Sequence, residues 1–414
     1  MRKLRVRKIR VLLLIHELSP TGAPKVALSA FERFGDAVEL RTLAYLGGPL
    51  RPRFAALGPV QTLVSYGWPG MSAPLGALAR FAGHRALSLA KGRLWAGPLR
   101  RWQPDIIYIN SVAALLAVRR LALPPAPVLL HVHELDHVLA PFLEHSPDLL
   151  RDLPARYVAV SNAVAEALTE RFGINPAKVT VVPAFIDAVP EFAPVAPDIA
   201  PSLRPDTRWV VGGAGVINWC KGAQLWLLMA AEVKRLLGAD RVRFVWVGVP
   251  GNEEGWQFHE MARKLLLTED IEFVAFTPEP LAYYQKFDVF ALTSWEETAS
   301  LALLENMALE RPVVCFAGSG GPAEFAGDAG VTLLNFSPTE MAAAVADLCR
   351  DPARRKALGK AARQRILENF TAAMQAPHIL EEIRRLAAQA GQPVQDALPL
   401  VEAQVGTEEP EPGT

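Results

Sequence analysis

The sequence predicts an α/β protein with two domains, each built on a doubly wound parallel sheet. The 414 residues are long for one hydrophobic core and sufficient for two, and 51% of them are hydrophobic. Short apolar runs alternate with stretches of helical period, which is the pattern of repeated βαβ units. A proline-rich segment, Pro190 to Pro205, interrupts this alternation, which restarts after it. We therefore expect two sheets joined by a linker.

Apolar runs of strand length define the two sheets. In the first half they are IRVLLLI, VELRTLAYL, VQTLV, DIIYIN, PVLLHV, YVAVS and VTVVP. In the second half they are RWVVGGAG, VRFVWVGV, IEFVAF, DVFALTS, PVVCF and VTLLN. The Ala/Leu-rich pieces between strands, such as VAALLAVRRLA and AVAEALTERFG, are predicted helices. Further helices are expected after Gly222, Gly255, Leu301 and Thr339.

The predicted domains follow from these elements. We expect an N-terminal domain over residues 1–189, a linker over 190–207 and a second domain over 208–370. The last helical stretch breaks around Phe370 and Thr371, so residues 371–390 are expected to form a separate C-terminal helix. Residues 391–414 carry five acids and neither Lys nor Arg, and we expect this tail to be disordered.

Cysteine usage and hydropathy indicate the compartment. Cys220, Cys315 and Cys349 form no short-spaced pair, which suits a reducing environment and argues against a disulfide framework. The sequence has no apolar stretch near the length of about 20 residues that spans a bilayer. We expect a cytoplasmic protein.

Charge is unevenly distributed along the chain. The net charge is zero overall, but residues 1–104 carry +13 and the remainder −13. An acid-free segment from Leu40 to Pro104 contains the helical piece LGALARFAGHRALSLAKGRLW, with Trp68, Trp95 and Trp102 nearby. A basic amphipathic helix with aromatic residues suits the anionic inner face of the cell membrane. The alternative is a helix packed on the sheet with a basic outer face. Nucleic acid is not an expected partner, because no recognised binding motif accompanies the charge.

Two glutamates in SWEETASLALLENM are the strongest candidates for a functional site. Glu297 follows a predicted strand, and Glu305 lies about two turns further along on a predicted helix. In an open parallel sheet, ligands bind where strands end and helices begin. The structural alternative is a helix entry in which Ser294 and Glu297 form a capping box.

These residues belong to a set of motifs that resembles a known enzyme class. The other motifs are TGAPKVAL, VHEL, VAVSNAV, VTVVPAFID, GAGVINWCKG and GSGGPAEF. In this order, and with the two glutamates eight residues apart, they are similar to retaining glycosyltransferases of the GT-B type, in particular glycosyltransferase family four. The resemblance covers about residues 8 to 390.

The resemblance implies both the fold and the activity. It implies two Rossmann-like domains facing each other across a cleft, with the C-terminal helix crossing back to the first domain. It implies metal-independent transfer of a sugar from a nucleotide-diphosphate sugar to a glycan or lipid-linked acceptor, in cell-surface polysaccharide synthesis, without a cofactor. The donor would bind mainly to the C-terminal domain and the acceptor to the N-terminal one.

Donor-site residues follow from matching positions. Lys221, with Gly222 opening a helix, would neutralise the diphosphate together with helix N–H groups at Ser300 and Leu301. Glu305 would accept hydrogen bonds from the ribose, and Glu297 would hold hydroxyls of the donor sugar. The alternative for Lys221 is a surface lysine beside a turn glycine.

Three further positions complete the predicted site. His133 would face the reacting sugar. Gly22 would let the backbone approach the donor phosphates, since glycine has no side chain to clash, although an ordinary strand-to-helix turn is the alternative. The backbone from Phe276 to Pro278 would contact the nucleobase.

The chain departs from the family pattern in two places. An arginine expected a few residues before Lys221 is absent, and the positions carry Val216 and Cys220. The residues before Leu301 are Thr298, Ala299 and Ser300 instead of Gly-Phe-Gly.

Three alternatives remain open from the sequence. One is a catalytically silent glycosyltransferase-like partner protein, and another is a sugar-nucleotide epimerase on the same fold. The third is a zinc hydrolase, because HELDH, from His133 to His137, matches H-E-x-x-H. That pattern requires both histidines on one helical face, and the strand PVLLHV runs directly into it.

Overall fold

The computed structural model describes residues 7–64, 97–115, 123–145, 147–187, 208–251 and 253–389. The predicted linker, the basic segment around 75–95 and the acidic tail lie outside the described residues, as does most of the predicted helix VAALLAVRRLA.

The first domain contains a seven-stranded parallel sheet with the order β3-β2-β1-β4-β5-β6-β7. Its strands are β1 Ile9–Ile15, β2 Val38–Leu46, β3 Val60–Val64, β4 Ile106–Asn110, β5 Val128–Val132, β6 Arg156–Ala159 and β7 Val179–Val181. Every residue of β4 and β5 is buried, as expected for parallel strands covered on both faces.

The second domain contains a six-stranded parallel sheet with the order β10-β9-β8-β11-β12-β13. Its strands are β8 Trp209–Ala214, β9 Val242–Val249, β10 Ile271–Ala275, β11 Val289–Leu292, β12 Val313–Phe316 and β13 Val331–Leu333. The two-sheet α/β fold predicted from the sequence is thereby confirmed.

Helices connect the strands in both domains. In the described part of the first domain they include α1 Gly22–Phe34, α2 Arg51–Leu57, α3 Asp136–His145, α4 Pro147–Arg151 and α5 Asn162–Glu166. In the second half they are α6 Ala223–Leu237, α7 Glu253–Lys264, α8 Leu281–Tyr284, α9 Leu301–Ala308, α10 Gly321–Ala326, α11 Pro338–Arg350, α12 Pro352–Asn369 and α13 Ala372–Gln389. The helix expected after Gly255 begins two residues earlier. Among the described residues, no helix is long and apolar enough to cross a membrane.

The C-terminal helix α13 packs on the first domain. Its buried residues Ile379 and Ile383 share a hydrophobic cluster with Leu13 and Val26. The Arg156 guanidinium lies 2.5 Å from the buried carboxylate of Glu382 on α13. The chain therefore returns to the first sheet after completing the second.

The strand order reverses at one point in each sheet. In the first sheet β1 has β2 on one side and β4 on the other, and in the second sheet β8 lies between β9 and β11. Loops leaving such a reversal point diverge to opposite faces and open a crevice at the carboxyl ends of the strands. The two crevices face each other across the domain boundary, where Gly22 at the start of α1 lies opposite Leu301 at the start of α9.

Candidate active site

Lys221 and Glu297 meet at the crevice of the second sheet. Lys221 ends the loop after β8, and Glu297 lies in the loop after β11. The Lys221 ammonium donates a hydrogen bond to Glu297 Oε2 at 2.5 Å, and Ser294 Oγ donates to the same oxygen at 3.2 Å. The Glu297 side chain is only 7% exposed, whereas that of Lys221 is 26% exposed. The pair is therefore a partly buried ion pair at the edge of the cleft.

Gly222 fixes the position of Lys221. Its φ of +57° lies in the left-handed region, and a Cβ there would be 2.0 Å from the carbonyl oxygen of Thr293. The Thr293 hydroxyl donates to the Gly222 carbonyl at 3.0 Å. Glycine at position 222 is thus a steric requirement for bringing the two loops together.

The glycine-rich segment after β12 holds Glu297 from the other side. The Glu297 N–H donates to the Ser319 carbonyl at 2.7 Å, and its own carbonyl accepts from the Gly321 N–H at 3.0 Å. Gly320 has a φ of +113°, and a Cβ there would lie 2.5 Å from the Glu297 carbonyl oxygen. The backbone of Glu297 is consequently anchored on both sides.

Helix α9 begins at Leu301 and is capped by Ser300. The Ser300 hydroxyl accepts from the Leu303 N–H at 3.2 Å, the usual arrangement of a serine N-cap. The alternative of a capping box formed by Ser294 and Glu297 is therefore wrong. The helix starts later than that box requires, and Ser294 instead contacts the Glu297 carboxylate.

Glu305 projects from the second turn of α9 into a cavity between the domains. Its side chain is 16% exposed, and its Oε1 lies 3.9 Å from the Lys25 ammonium of α1. Burial raises the pKa of the Glu305 carboxyl, and the charge of Lys25 partly opposes this. The cavity residues are Lys25, Ser29, Leu50, Arg53, Phe185, Ile186, Asp187, Leu281, Leu301 and Glu305.

His133 belongs to the first domain and lies directly after β5. Its Nε2 lies 3.0 Å from Asn110 Oδ1. The Asn110 amide is oriented by donation of its Nδ2 to the Ala23 carbonyl at 3.1 Å, so Oδ1 is the acceptor and His133 Nε2 carries the proton. Burial and the neighbouring His131 and His16 place the pKa of His133 well below its usual value. The imidazole is therefore neutral near pH 7, with Nδ1 unprotonated.

The neighbouring His131 is a packed core residue. It is 1% exposed, its Nδ1 is 2.6 Å from the Tyr108 hydroxyl, and burial lowers its pKa to about 3.

The geometry of HELDH does not support a zinc hydrolase. His133 precedes α3, which begins at Asp136, so His133 and His137 do not share a helical face. The Glu134 carboxylate accepts from the backbone N–H groups of His133 at 2.8 Å and of Val112 at 3.2 Å, and also from the Ser111 hydroxyl. Across the described ranges, no group of three or more His, Cys, Asp or Glu side chains is placed to hold a metal ion.

Gly22 and Phe276 lie at the margins of the crevice. Gly22 opens α1, and a Cβ there would be 4.0 Å from the side chain of Leu301, an ordinary van der Waals distance. Packing within the protein therefore does not itself require a glycine at this position. Phe276 follows the edge strand β10 and is 58% exposed, and the Thr277 hydroxyl next to it accepts from the Glu279 N–H at 3.1 Å.

The residues that replace the expected arginine bring no charge. Val216 is 47% exposed. Burial and nearby carboxylates raise the pKa of the Cys220 thiol, which is therefore neutral at pH 7. Lys221 is the cation that this loop supplies.

Sequence reasoning missed the residues that connect the domains. Glu296 accepts from the His137 N–H at 3.1 Å, and the exposed ring of Trp219 lies 5.3 Å from the His137 ring. Lys25 of α1 faces Glu305 across the same boundary. No sequence signal distinguishes these side chains from ordinary surface residues, because each acquires its partner only when the two domains come together.

Two family models of glycosyltransferases match the sequence. The family model of glycosyl transferases group 1 matches residues 196–365, and that of glycosyltransferase family 4 matches residues 50–189. A D-inositol 3-phosphate glycosyltransferase of Kineococcus radiotolerans is 28% identical in an alignment of 368 positions that covers 81% of this chain and 81% of that relative. The corresponding protein of Corynebacterium aurimucosum is 31% identical over 158 residues, and the alignment spans 37% of this chain and 38% of that relative.

Solved structures show the same architecture. The Anabaena HepE structure in complex with UDP-glucose superposes with a TM-score of 0.73 at 19% identity, covering 91% of this chain and 99% of HepE. WaaG, a glycosyltransferase involved in lipopolysaccharide biosynthesis, superposes with a TM-score of 0.67 at 13% identity, covering 91% and 99%. The two family models, the curated relatives and the shared two-domain fold lead to one conclusion: this chain is a GT-B glycosyltransferase similar to glycosyltransferase family four.

Proposed function

We propose that the protein is a retaining glycosyltransferase that moves a sugar from a nucleotide-diphosphate sugar to the hydroxyl of an acceptor. The observation that carries this proposal is the Lys221–Glu297 pair at the crevice of the second sheet, opposite the neutral His133 of the first. A cation beside the starts of α6 and α9 is suited to a diphosphate, because helix N-termini present unpaired N–H groups to anions.

Donor binding follows from the position of each residue. The diphosphate would lie against Lys221 and the N–H groups around Gly222, Ser300 and Leu301. Glu305, one turn into α9, would accept hydrogen bonds from the ribose hydroxyls. The complex of HepE with UDP-glucose supports a donor of this class. The nucleobase would lie near Phe276 and Pro278, outside the end of β10.

Sugar transfer would proceed on one face of the donor. The bond between the anomeric carbon and the diphosphate oxygen breaks, and a bond from the same carbon to the acceptor oxygen forms. The acceptor proton passes to the departing diphosphate. Lys221 and the helix N–H groups stabilise the charge that develops on that leaving group, which is the role a metal ion has in other transferases. Glu297 would hold sugar hydroxyls, and closure of the cleft would exclude water.

The acceptor would bind to the first domain beside His133. With Nε2 engaged by Asn110, the unprotonated Nδ1 is the ring atom able to accept a hydrogen bond from a sugar or acceptor hydroxyl. We propose a glycan or lipid-linked acceptor, used in cell-surface polysaccharide synthesis. The basic segment before residue 97 would bring the protein to the membrane surface. The names of the curated relatives add inositol phosphate to the acceptors that require testing.

The test begins with binding and continues to transfer. Thermal-shift measurements with UDP, GDP, ADP and their sugars should identify one nucleotide, which at 100 times its dissociation constant adds about 2.7 kcal/mol to the free energy of unfolding. That donor is then incubated with lipid-linked glycans and inositol phosphate, and the anomeric configuration of the product is read by NMR.

Each outcome of this test separates the alternatives. Retained configuration in a new glycoside supports the proposal. Tight nucleotide binding without transfer or hydrolysis would support a catalytically silent protein, and a free epimerised sugar would support an epimerase. Inverted configuration would overturn the retaining mechanism.

A further inference from the structure

The donor site described above has a deficit of positive charge. Lys221 already pairs with the buried carboxylate of Glu297 at 2.5 Å, so the two side chains together are electrically neutral. A nucleoside diphosphate carries several negative charges, and helix N-termini compensate only about half a charge each. A second cation is therefore expected within reach of the diphosphate.

Lys25 of the first domain is the candidate for this second cation. It lies one turn into α1, and a Cβ on Gly22, the first residue of that helix, would be 4.0 Å from the Leu301 side chain at the start of α9. Its ammonium reaches across the domain boundary to within 3.9 Å of Glu305. The first turns of α1 and α9 thus lie side by side, and each carries a charged residue one turn inward.

The contact between Lys25 and Glu305 leaves the lysine available to a ligand. A distance of 3.9 Å exceeds that of a hydrogen bond, and the Lys25 side chain remains 39% exposed. This differs from Arg53 on the same cavity wall, whose guanidinium makes two hydrogen bonds to Glu32, at 2.7 and 3.0 Å. Lys25 is the cation of this wall that can turn toward a bound anion without breaking a hydrogen bond to Glu305.

The cavity between Lys25 and Glu305 is itself suited to a polar ligand. Its volume is about 220 Å³, and both charged side chains line it. Ser29, one turn beyond Lys25 on α1, also lines it, and the Ser29 hydroxyl is buried without a hydrogen-bond partner. A buried hydroxyl without a partner is costly unless a ligand or water satisfies it.

We propose that Lys25 is a donor-binding residue of the first domain, which binds the diphosphate of the nucleotide while Glu305 binds its ribose. One helical turn, about 5.4 Å, separates Glu305 from the start of α9. This is comparable to the separation between the ribose diol and the 5′-phosphate of a nucleotide. The donor is then held by a cation from each domain, Lys221 and Lys25, so that its binding favours the closed cleft. This inference rests on the proposed function.

Calorimetric titration of the full chain with a nucleoside diphosphate and with its nucleoside tests the inference. The pairs are UDP and uridine, GDP and guanosine, and ADP and adenosine, and the pair that binds the wild type is carried forward. Lys25→Met should weaken diphosphate binding about 10- to 100-fold, the loss expected for a charge-assisted hydrogen bond, and leave nucleoside binding unchanged. Lys25→Arg should restore most of the affinity.

The control is Lys8→Met, which removes the same charge from an exposed pair with Asp36. It should leave both affinities unchanged. An equal loss for diphosphate and nucleoside in Lys25→Met would overturn the inference, because it would mean that Lys25 only shapes the cavity. An unchanged diphosphate affinity would overturn it as well. If the wild type binds none of the three diphosphates, the proposed function fails, and the inference fails with it.

Discussion

Glu324 of the second domain accepts two hydrogen bonds from Asn162 of the first, one from the backbone N–H and one from the side-chain amide, each 2.9 Å long. Asn162 is the first residue of α5, so a carboxylate from one domain caps a helix of the other. Glu296 makes the equivalent contact with the His137 N–H at the start of α3. Two of the contacts across the cleft are therefore made by acids placed on helix N-termini of the first domain.

Replacing Glu324 with Ala should loosen this arrangement. The change leaves the first-domain N–H groups without their acceptor, and hydrogen bonds to charged groups contribute about 1.5–3 kcal/mol. We expect a larger radius of gyration in small-angle X-ray scattering, with each domain still folded. Glu340→Ala is a matched control, because it removes an exposed side chain that accepts from Asn335 within the second domain. An unchanged radius in Glu324→Ala would contradict the prediction.

Removing the Lys221 ammonium should impair transfer more than folding. Lys221→Met leaves the Glu297 carboxylate uncompensated beside the diphosphate and removes a cation from the leaving group. We expect kcat to fall by about 10²–10³, as when one preorganised electrostatic donor is lost. Adding Glu297→Gln to this variant tests the charge pairing, because it removes the uncompensated carboxylate. Full activity of Lys221→Met, measured by product formation under donor saturation, would show that the Lys221 ammonium has no catalytic role.

Gly222 and Gly173 form a matched pair for testing backbone strain. Both have left-handed φ values, +57° and +68°, but only Gly222 is crowded, because a Cβ at Gly173 meets no atom within 4 Å. Gly173→Ala should therefore cost about 1–2 kcal/mol of folding free energy. Gly222→Ala must also displace the Thr293 carbonyl, so it should cost more and should weaken nucleotide binding. Denaturant titration measures the first effect and calorimetry the second. Equal costs at the two positions would contradict the packing described.

His131 should make stability depend on pH. Its pKa of about 3 in the folded protein is below the value of 6.5 for an unperturbed histidine, so the unfolded chain binds more protons between these values. Stability from this group is complete above pH 6.5 and is lost as the pH falls, by about 1.4 kcal/mol for each pH unit. His131→Gln should reduce this slope relative to the wild type in urea titrations between pH 6.5 and 4. An unchanged slope would contradict the prediction, because it would mean that folding does not lower the pKa of His131.

The sequence predicts the sheets well because buried parallel strands leave a strong local signal. Runs such as IRVLLLI and PVLLHV are apolar on both faces, and strand β1 has the predicted limits, Ile9 and Ile15. Helix starts leave a weaker local signal, since Ser294 and Ser300 both match the pattern of an N-cap and only the loop contacts of Glu297 decide between them.

The residues of the candidate site also fall into two groups, those that a sequence motif marks and those that it does not. Lys221, Glu297 and Glu305 lie in motifs that the sequence displays, and the structure brings the first two into contact. Lys25, Glu296 and Glu324 depend on how the domains dock, which no local pattern encodes. Their partners are separated from them in sequence by more than a hundred residues.

The return of α13 to the first sheet means that the N-terminal half is not an independent unit in the linear chain. A fragment ending before residue 371 would expose the apolar surface around Leu13 and Val26 that Ile379 and Ile383 cover. Expression of that half alone should yield aggregated material unless α13 is supplied, either as a fused helix or as a separate peptide. A circular permutation that joins α13 directly to β1 would make the elements of the first domain continuous in sequence, so that the two halves could be produced separately.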